Sequence, residues 1–121
     1  MTEEELVPFT AEIKTPDFEK SLAFYTKILG FEILRISGEN KFATLVYNKG
    51  QFLIQGQEDV AEPRGGGVFF RFFVDGDIHE YHDLVKSRGA TISKPIEKMF
   101  YGLTRFYVTD PFGYQIKFVS R

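Results

Sequence analysis

Residues 9–14 (Phe-Thr-Ala-Glu-Ile-Lys) alternate apolar and polar, the period of a strand with one buried face. Pro16 ends that run, and Asp17 offers the short carboxylate that caps a helix start. Phe18, Leu22, Tyr25 and Leu29 then recur at helical spacing, a stripe that Gly30 closes. Strand-like runs follow at 32–36, 42–47 and 52–55, with turn residues at Gly38-Glu39-Asn40 and Asn48-Lys49-Gly50 between them. The same order then returns. A strand over 68–74 leads through Asp75-Gly76-Asp77 into a helical stripe of Ile78, Tyr81, Leu84 and Val85 that stops at Gly89. Strands are expected at 91–93, 103–109 and 114–119. Asp110-Pro111-Phe112-Gly113 joins the last two as a type I turn.

Laying Gly30 on Gly89 superposes the first strand and helix of the halves at an offset of 59, and laying Gly50 on Gly113 superposes the final hairpins at 63. The pattern is βαβββ twice, an α+β architecture. We expect residues 1–121 to form one domain of two modules, about 7–56 and 67–121, joined by a polar loop containing Pro63 and Gly65-Gly66-Gly67. Four strands and one helix are few for a closed core, so the modules pack together or exchange partners with a second chain, and a homodimer is expected.

Composition removes several classes of function. The chain of 121 residues has no Cys, which excludes thiolate metal sites and Cys nucleophiles. No apolar run approaches the roughly 18 residues of a membrane span, and the N-terminal MTEEEL is acidic rather than signal-like. No membrane partner and a cytoplasmic location are therefore expected. A net charge of -2 leaves no basic footprint, so no nucleic acid is expected as partner. The triple glycine precedes a strand, not a helix, and so lacks the setting of a phosphate loop. The 14 Phe and 6 Tyr point to an aromatic-lined cavity or interface.

The segment Pro16-Asp17-Phe18-Glu19-Lys20-Ser21-Leu22-Ala23-Phe24-Tyr25-Thr26-Lys27-Ile28-Leu29-Gly30-Phe31-Glu32 resembles the first-helix signature of the vicinal oxygen chelate superfamily, which includes glyoxalase I, extradiol dioxygenases and bleomycin-resistance proteins. Tyr101-Gly102-Leu103-Thr104-Arg105-Phe106 with Asp110-Pro111-Phe112-Gly113-Tyr114 resembles its closing hairpin, nearest to the bleomycin-resistance branch. The resemblance implies the glyoxalase/bleomycin-resistance-like fold, in which tandem modules form a cup-shaped mixed sheet around a small-molecule site. It also implies metal ligands, usually His, Glu or Gln, at two equivalent positions per module. Those positions fall here at Thr10, Ile54, Phe69 and Lys117, and a slip of one residue brings in Gln55. Phe and Ile cannot ligate, and a protonated Lys repels a cation. No metal and no cofactor are therefore expected. His79 and His82, at i and i+3 on the second helix with Glu80 and Asp83 nearby, allow a metal site but read more simply as a solvated face.

Alternation assigns what lines the cup instead. Thr10, Glu12 and Lys14 face inward if Ala11 and Ile13 pack on the helix; so do Phe69, Arg71 and Phe73, and so do Gln115 and Lys117. Phe100 and Tyr101 stand where the resemblance places a drug-stacking wall, and Phe42, Phe52 and Tyr107 are further aromatic candidates. Aromatic walls with a few convergent charges describe a small-molecule site. The same charges could simply pair with one another and fill the cup. The leading expectation is a metal-free protein that sequesters a planar or aromatic compound, anionic because Arg71 and Lys117 face inward. The alternatives are a lyase, isomerase or dioxygenase with an atypical or absent metal site, and an interaction module with a plugged cup.

Overall fold

The computed structural model describes residues 9–60 and 65–121. The acidic N-terminus and residues 61–64 of the joining loop lie outside the described residues. The chain divides into two compact units, Met1–Glu62 and Pro63–Arg121. Each carries one four-stranded mixed sheet and one helical segment.

In the first unit, β1 (Ala11–Thr15) leads into α1 (Phe18–Ala23), and β2 (Glu32–Ser37), β3 (Phe42–Tyr47) and β4 (Gly50–Gly56) follow. The sheet order is β1-β4-β3-β2, with β1 parallel to β4 and the remaining pairs antiparallel. A parallel pair needs a crossover, and the helix supplies it. Asp17 caps α1 by accepting the Lys20 N–H at 3.1 Å. The last turns widen into a π-helix, Phe24–Ile28, where the Leu29 N–H reaches back to the Phe24 carbonyl. That extra residue turns both Phe24 and Tyr25 into the core, edge to face at 5.2 Å, and leaves the expected core residue Leu22 only half-buried. Tyr25, Phe31 and Phe52 then pack ring on ring. Thr15 and Ser21 hide their hydroxyls in a mutual hydrogen bond of 2.6 Å.

The second unit repeats the plan with β5 (Phe69–Phe73), α2 (Ile78–Ser87), β6 (Thr91–Lys98), β7 (Thr104–Thr109) and β8 (Gln115–Ser120), in sheet order β5-β8-β7-β6. Asp77 caps α2 through the His79 and Glu80 N–H groups. Tyr81 of α2 packs on Phe118 and Phe106, so one face of this sheet is the core. Much of the aromatic content noted in the sequence is thus core: Phe18, Phe24, Tyr25, Phe31 and Phe52 in one unit, Phe106, Tyr114 and Phe118 in the other.

β6 runs five residues past its expected end at Ser93 and carries Pro95 inside it. It can do so because it is an edge strand, where a missing N–H removes no ladder bond, and because its register slips twice, between Ile92 and Lys94 and between Lys94 and Glu97.

Candidate functional site

The face of the second sheet opposite α2 is built in rows set by register. β5 is parallel to β8, β8 pairs with β7 and β7 with β6, so Arg71, Lys117, Tyr107 and Lys94 lie in line across all four strands. On one side of that row lies Phe69–Gln115–Thr109–Thr91, and on the other Phe73–Val119–Arg105–Glu97. Buried Ile116, Phe118, Phe106 and Val108 alternate with these residues and face the helix.

Tyr107 is the centre of this face. The ammonium groups of Lys94 and Lys117 lie 5.0 and 5.6 Å from its ring centroid, and the Arg105 guanidinium lies 5.3 Å from it. Phe69 meets the ring edge to face at 5.0 Å. Arg71 lies over the ring of Phe73 at 5.2 Å. Phe69 and Phe73 are nevertheless about half exposed, at 48% and 46%. Arg105 is held differently from the other cations. It donates to the Pro95 carbonyl at 2.9 Å and to Glu97 at 3.2 Å, and so pins the bulged part of β6 against Tyr107. Ser93 donates to Gln115 at 2.9 Å.

Of the residues singled out in the sequence, Phe69, Arg71, Phe73, Gln115 and Lys117 share this face. Thr10 and Glu12 belong to the first unit. Thr10 is half-buried just before β1, and the Glu12 carboxylate is 3.0 Å from the Lys14 ammonium two residues along the same strand. Ile54 is a correction. It is fully buried, in register with Ile13 on the helix side, and cannot line an open face. Its place belongs to Leu53, which pairs with Glu12 as Lys117 pairs with Arg71. The slip arises because the β3–β4 hairpin has a two-residue loop whereas Pro111-Phe112-Gly113 makes a three-residue one, so Gly50 and Gly113 are not equivalent. Phe52, another aromatic candidate, is also core.

Phe100 (97% exposed) and Tyr101 stand at the tip of the β6–β7 hairpin and contact each other edge to face at 5.1 Å. His79 is exposed, but His82 is not the solvated residue the sequence suggests. Its side chain is 12% exposed, lies edge-on to Phe106 at 5.0 Å, and has Nδ1 3.0 Å from Asp83.

Sequence reasoning missed Lys94, Arg105 and Glu97. A bulge changes which face a side chain takes, and alternation cannot foresee one. The register shift at Ser93 lets two consecutive residues, Ser93 and Lys94, both reach this face. The one available signal was Arg105, already prominent in the closing-hairpin motif.

A family model described as Glyoxalase/Bleomycin resistance protein/Dioxygenase superfamily matches residues 8–118. The chain belongs to this superfamily. Compared with curated proteins, it has no match. A superfamily member from Sphaerobacter thermophilus is 26% identical, with TM-score 0.71 and coverage of 96% of this chain and 99% of that one. An integron cassette protein from the mobile metagenome of Halifax Harbour sewage outfall is 24% identical, with TM-score 0.77 and coverage of 96% and 99%. TioX from Micromonospora sp. ML1 is 19% identical, with TM-score 0.77 and coverage of 95% and 96%.

The metal that glyoxalase superfamily enzymes hold does not fit these residues. The equivalent strand positions offer Thr10, Leu53, Phe69 and Lys117, one hydroxyl and one ammonium with two hydrocarbon side chains. Arg71 stands in register beside Lys117 and adds a second positive charge where a cation would have to bind. Among the described residues no three His, Cys, Asp or Glu side chains are grouped to hold a metal ion. No helix among them is long and apolar enough to cross a membrane.

Charge is divided between the units. The first has six Lys and Arg against eleven Asp and Glu, and the second has nine against six. The open face of the second sheet draws on the cationic half.

Proposed function

We propose that this superfamily member sequesters a planar, anionic small molecule on the open face of its second sheet without a metal, in the manner of the bleomycin-resistance branch. The observation that carries this reading is the row Arg71–Lys117–Tyr107–Lys94, in which Lys117 and Lys94 flank the Tyr107 ring and Arg71 stands beside Lys117, with no carboxylate in the row. Phe69 and Phe73 supply half-exposed apolar surface on either side of the row. A flat ring would stack on these side chains while its acidic group meets an ammonium or guanidinium. The homodimer expected from the sequence remains part of this proposal. The alternative is a lyase, isomerase or dioxygenase with an atypical or absent metal site, and for the atypical metal no group of three His, Cys, Asp or Glu stands among the described residues.

The test is calorimetric titration with 2-naphthoate and, as control, the cation 2-naphthylmethylammonium. The carboxylate is expected to bind and the ammonium compound is not. A charge-assisted hydrogen bond contributes about 1.5–3 kcal/mol, so Lys117→Glu is expected to weaken naphthoate binding by roughly tenfold or more. Equal affinity for the two probes, or unchanged affinity in Lys117→Glu, would overturn the proposal.

A further inference from the structure

We infer that the compound recognised on this face carries two acidic groups at opposite ends of one flat ring, as in an aromatic dicarboxylate. This inference rests on the reading just given and narrows its ligand class. Lys94 and Lys117 lie on the strands to either side of β7, each in register with Tyr107, and each ammonium is within 5.6 Å of the same ring. Neighbouring strands are about 4.8 Å apart, which puts the two lysine backbones about 10 Å apart with the tyrosine between them. That interval suits one ring with a substituent at each end. A compact anion could occupy only one side of it.

The charge balance points the same way. Among the described residues no carboxylate lies within ion-pair distance of Arg71, Lys94 or Lys117, and the carboxylate on this face, Glu97, is engaged by Arg105. A monoanion seated between Lys117 and Arg71 would leave Lys94 without a counter-charge across the ring. Lys94 reaches this position because β6 is bulged, and Arg105 holds that bulge through the Pro95 carbonyl and Glu97. Arg105 is thus a positioning residue for the second cation, whereas Lys94 and Lys117 set how far apart the two acidic groups must be.

The experiment is competition of 2-naphthoate, on the full chain, by terephthalate, phthalate, benzoate and inorganic phosphate. Terephthalate, with its carboxylates opposed, is expected to bind at least tenfold more tightly than benzoate, and more tightly than phthalate or phosphate. Lys94→Gln is expected to weaken terephthalate by roughly tenfold or more, a larger loss than for benzoate, and so to abolish the advantage of terephthalate. Lys94 is solvent-exposed, so this variant keeps the fold. Benzoate equal to terephthalate, or Lys94→Gln weakening both alike, overturns the inference. Failure of all four competitors while naphthoate binds also overturns it and leaves the proposed function standing. Failure of naphthoate as well overturns both.

Discussion

The carboxylate of Asp110 is almost fully buried, yet its Oδ1 accepts the backbone N–H groups of Phe112 at 2.8 Å and Tyr114 at 3.0 Å. Those two amides close the loop that leads into β8, the strand carrying Gln115 and Lys117. Asp110→Ala would leave the Tyr114 amide inside the protein without its acceptor, a loss of about 2–3 kcal/mol. For a chain of this length that lowers the melting temperature by about 6–12 °C. Calorimetric melting checks it, and a shift under about 2 °C would mean that water replaces the carboxylate at no cost. At the same scale, Ile54 marks what one position decides. Because side chains alternate strictly along β4, Leu53 and Ile54 belong to opposite faces, and a misplacement of one residue exchanges a core residue for a site residue.

Among the elements, the two closing hairpins differ in how they meet their backbone demands. Pro111-Phe112-Gly113 places glycine at the left-handed position, φ 99°. The β3–β4 hairpin turns instead through Asn48 and Lys49, with φ 46° and 70°, the pair of positive angles of a type I′ turn. Asn tolerates this region, but Lys does so at a cost of about 1 kcal/mol. Lys49→Gly is therefore expected to raise the melting temperature by about 3–5 °C and to leave ligand affinity unchanged; an unchanged or lower melting temperature would show that the Lys49 backbone is not strained. This turn also explains which parts of the molecule were legible beforehand. The two helix starts, β2, β3, β7 and β8 follow from caps, turns and alternation to within about a residue, because those segments obey one period each. The faces of β1, β5 and β8 could be read for the same reason: Glu12 and Lys14 share one side, as do Phe69, Arg71 and Phe73, and as do Gln115 and Lys117. Where the period breaks, the reading failed. The π-helical turn displaced Leu22 in favour of Phe24, the unequal hairpin loops shifted Ile54, and the bulges of β6 concealed Lys94 and Glu97. Tyr107 was legible as a candidate, but its central position among the cations depends on cross-strand register, which a strand's own sequence does not carry.

For the whole molecule, the sign of the net charge and the sign of the site oppose each other. The chain is at -2, and the eleven acidic residues of the first unit should discourage an anion, yet the proposed ligand is anionic. Magnitudes decide which effect governs. An acidic group about 5 Å from one ammonium at a protein surface gains about 3 kcal/mol of Coulomb energy at an effective dielectric constant near 20. The whole chain's net charge of -2, felt through water from beyond about two Debye lengths of 8 Å each, costs it at most about 0.5 kcal/mol, and physiological salt screens most of that. The nearby lysines therefore prevail, and the overall charge has little say. Raising ionic strength would then weaken binding, because it screens the exposed attractive pairs more than it relieves an already small repulsion. Naphthoate affinity is expected to fall by about three- to tenfold between 50 and 500 mM sodium chloride, and Tyr107→Leu, which removes the ring but no charge, should show the same slope from a weaker starting affinity. Affinity that rises with salt would mean that the acidic half of the chain governs the approach of the ligand, and the row of cations would lose its claim to be the site.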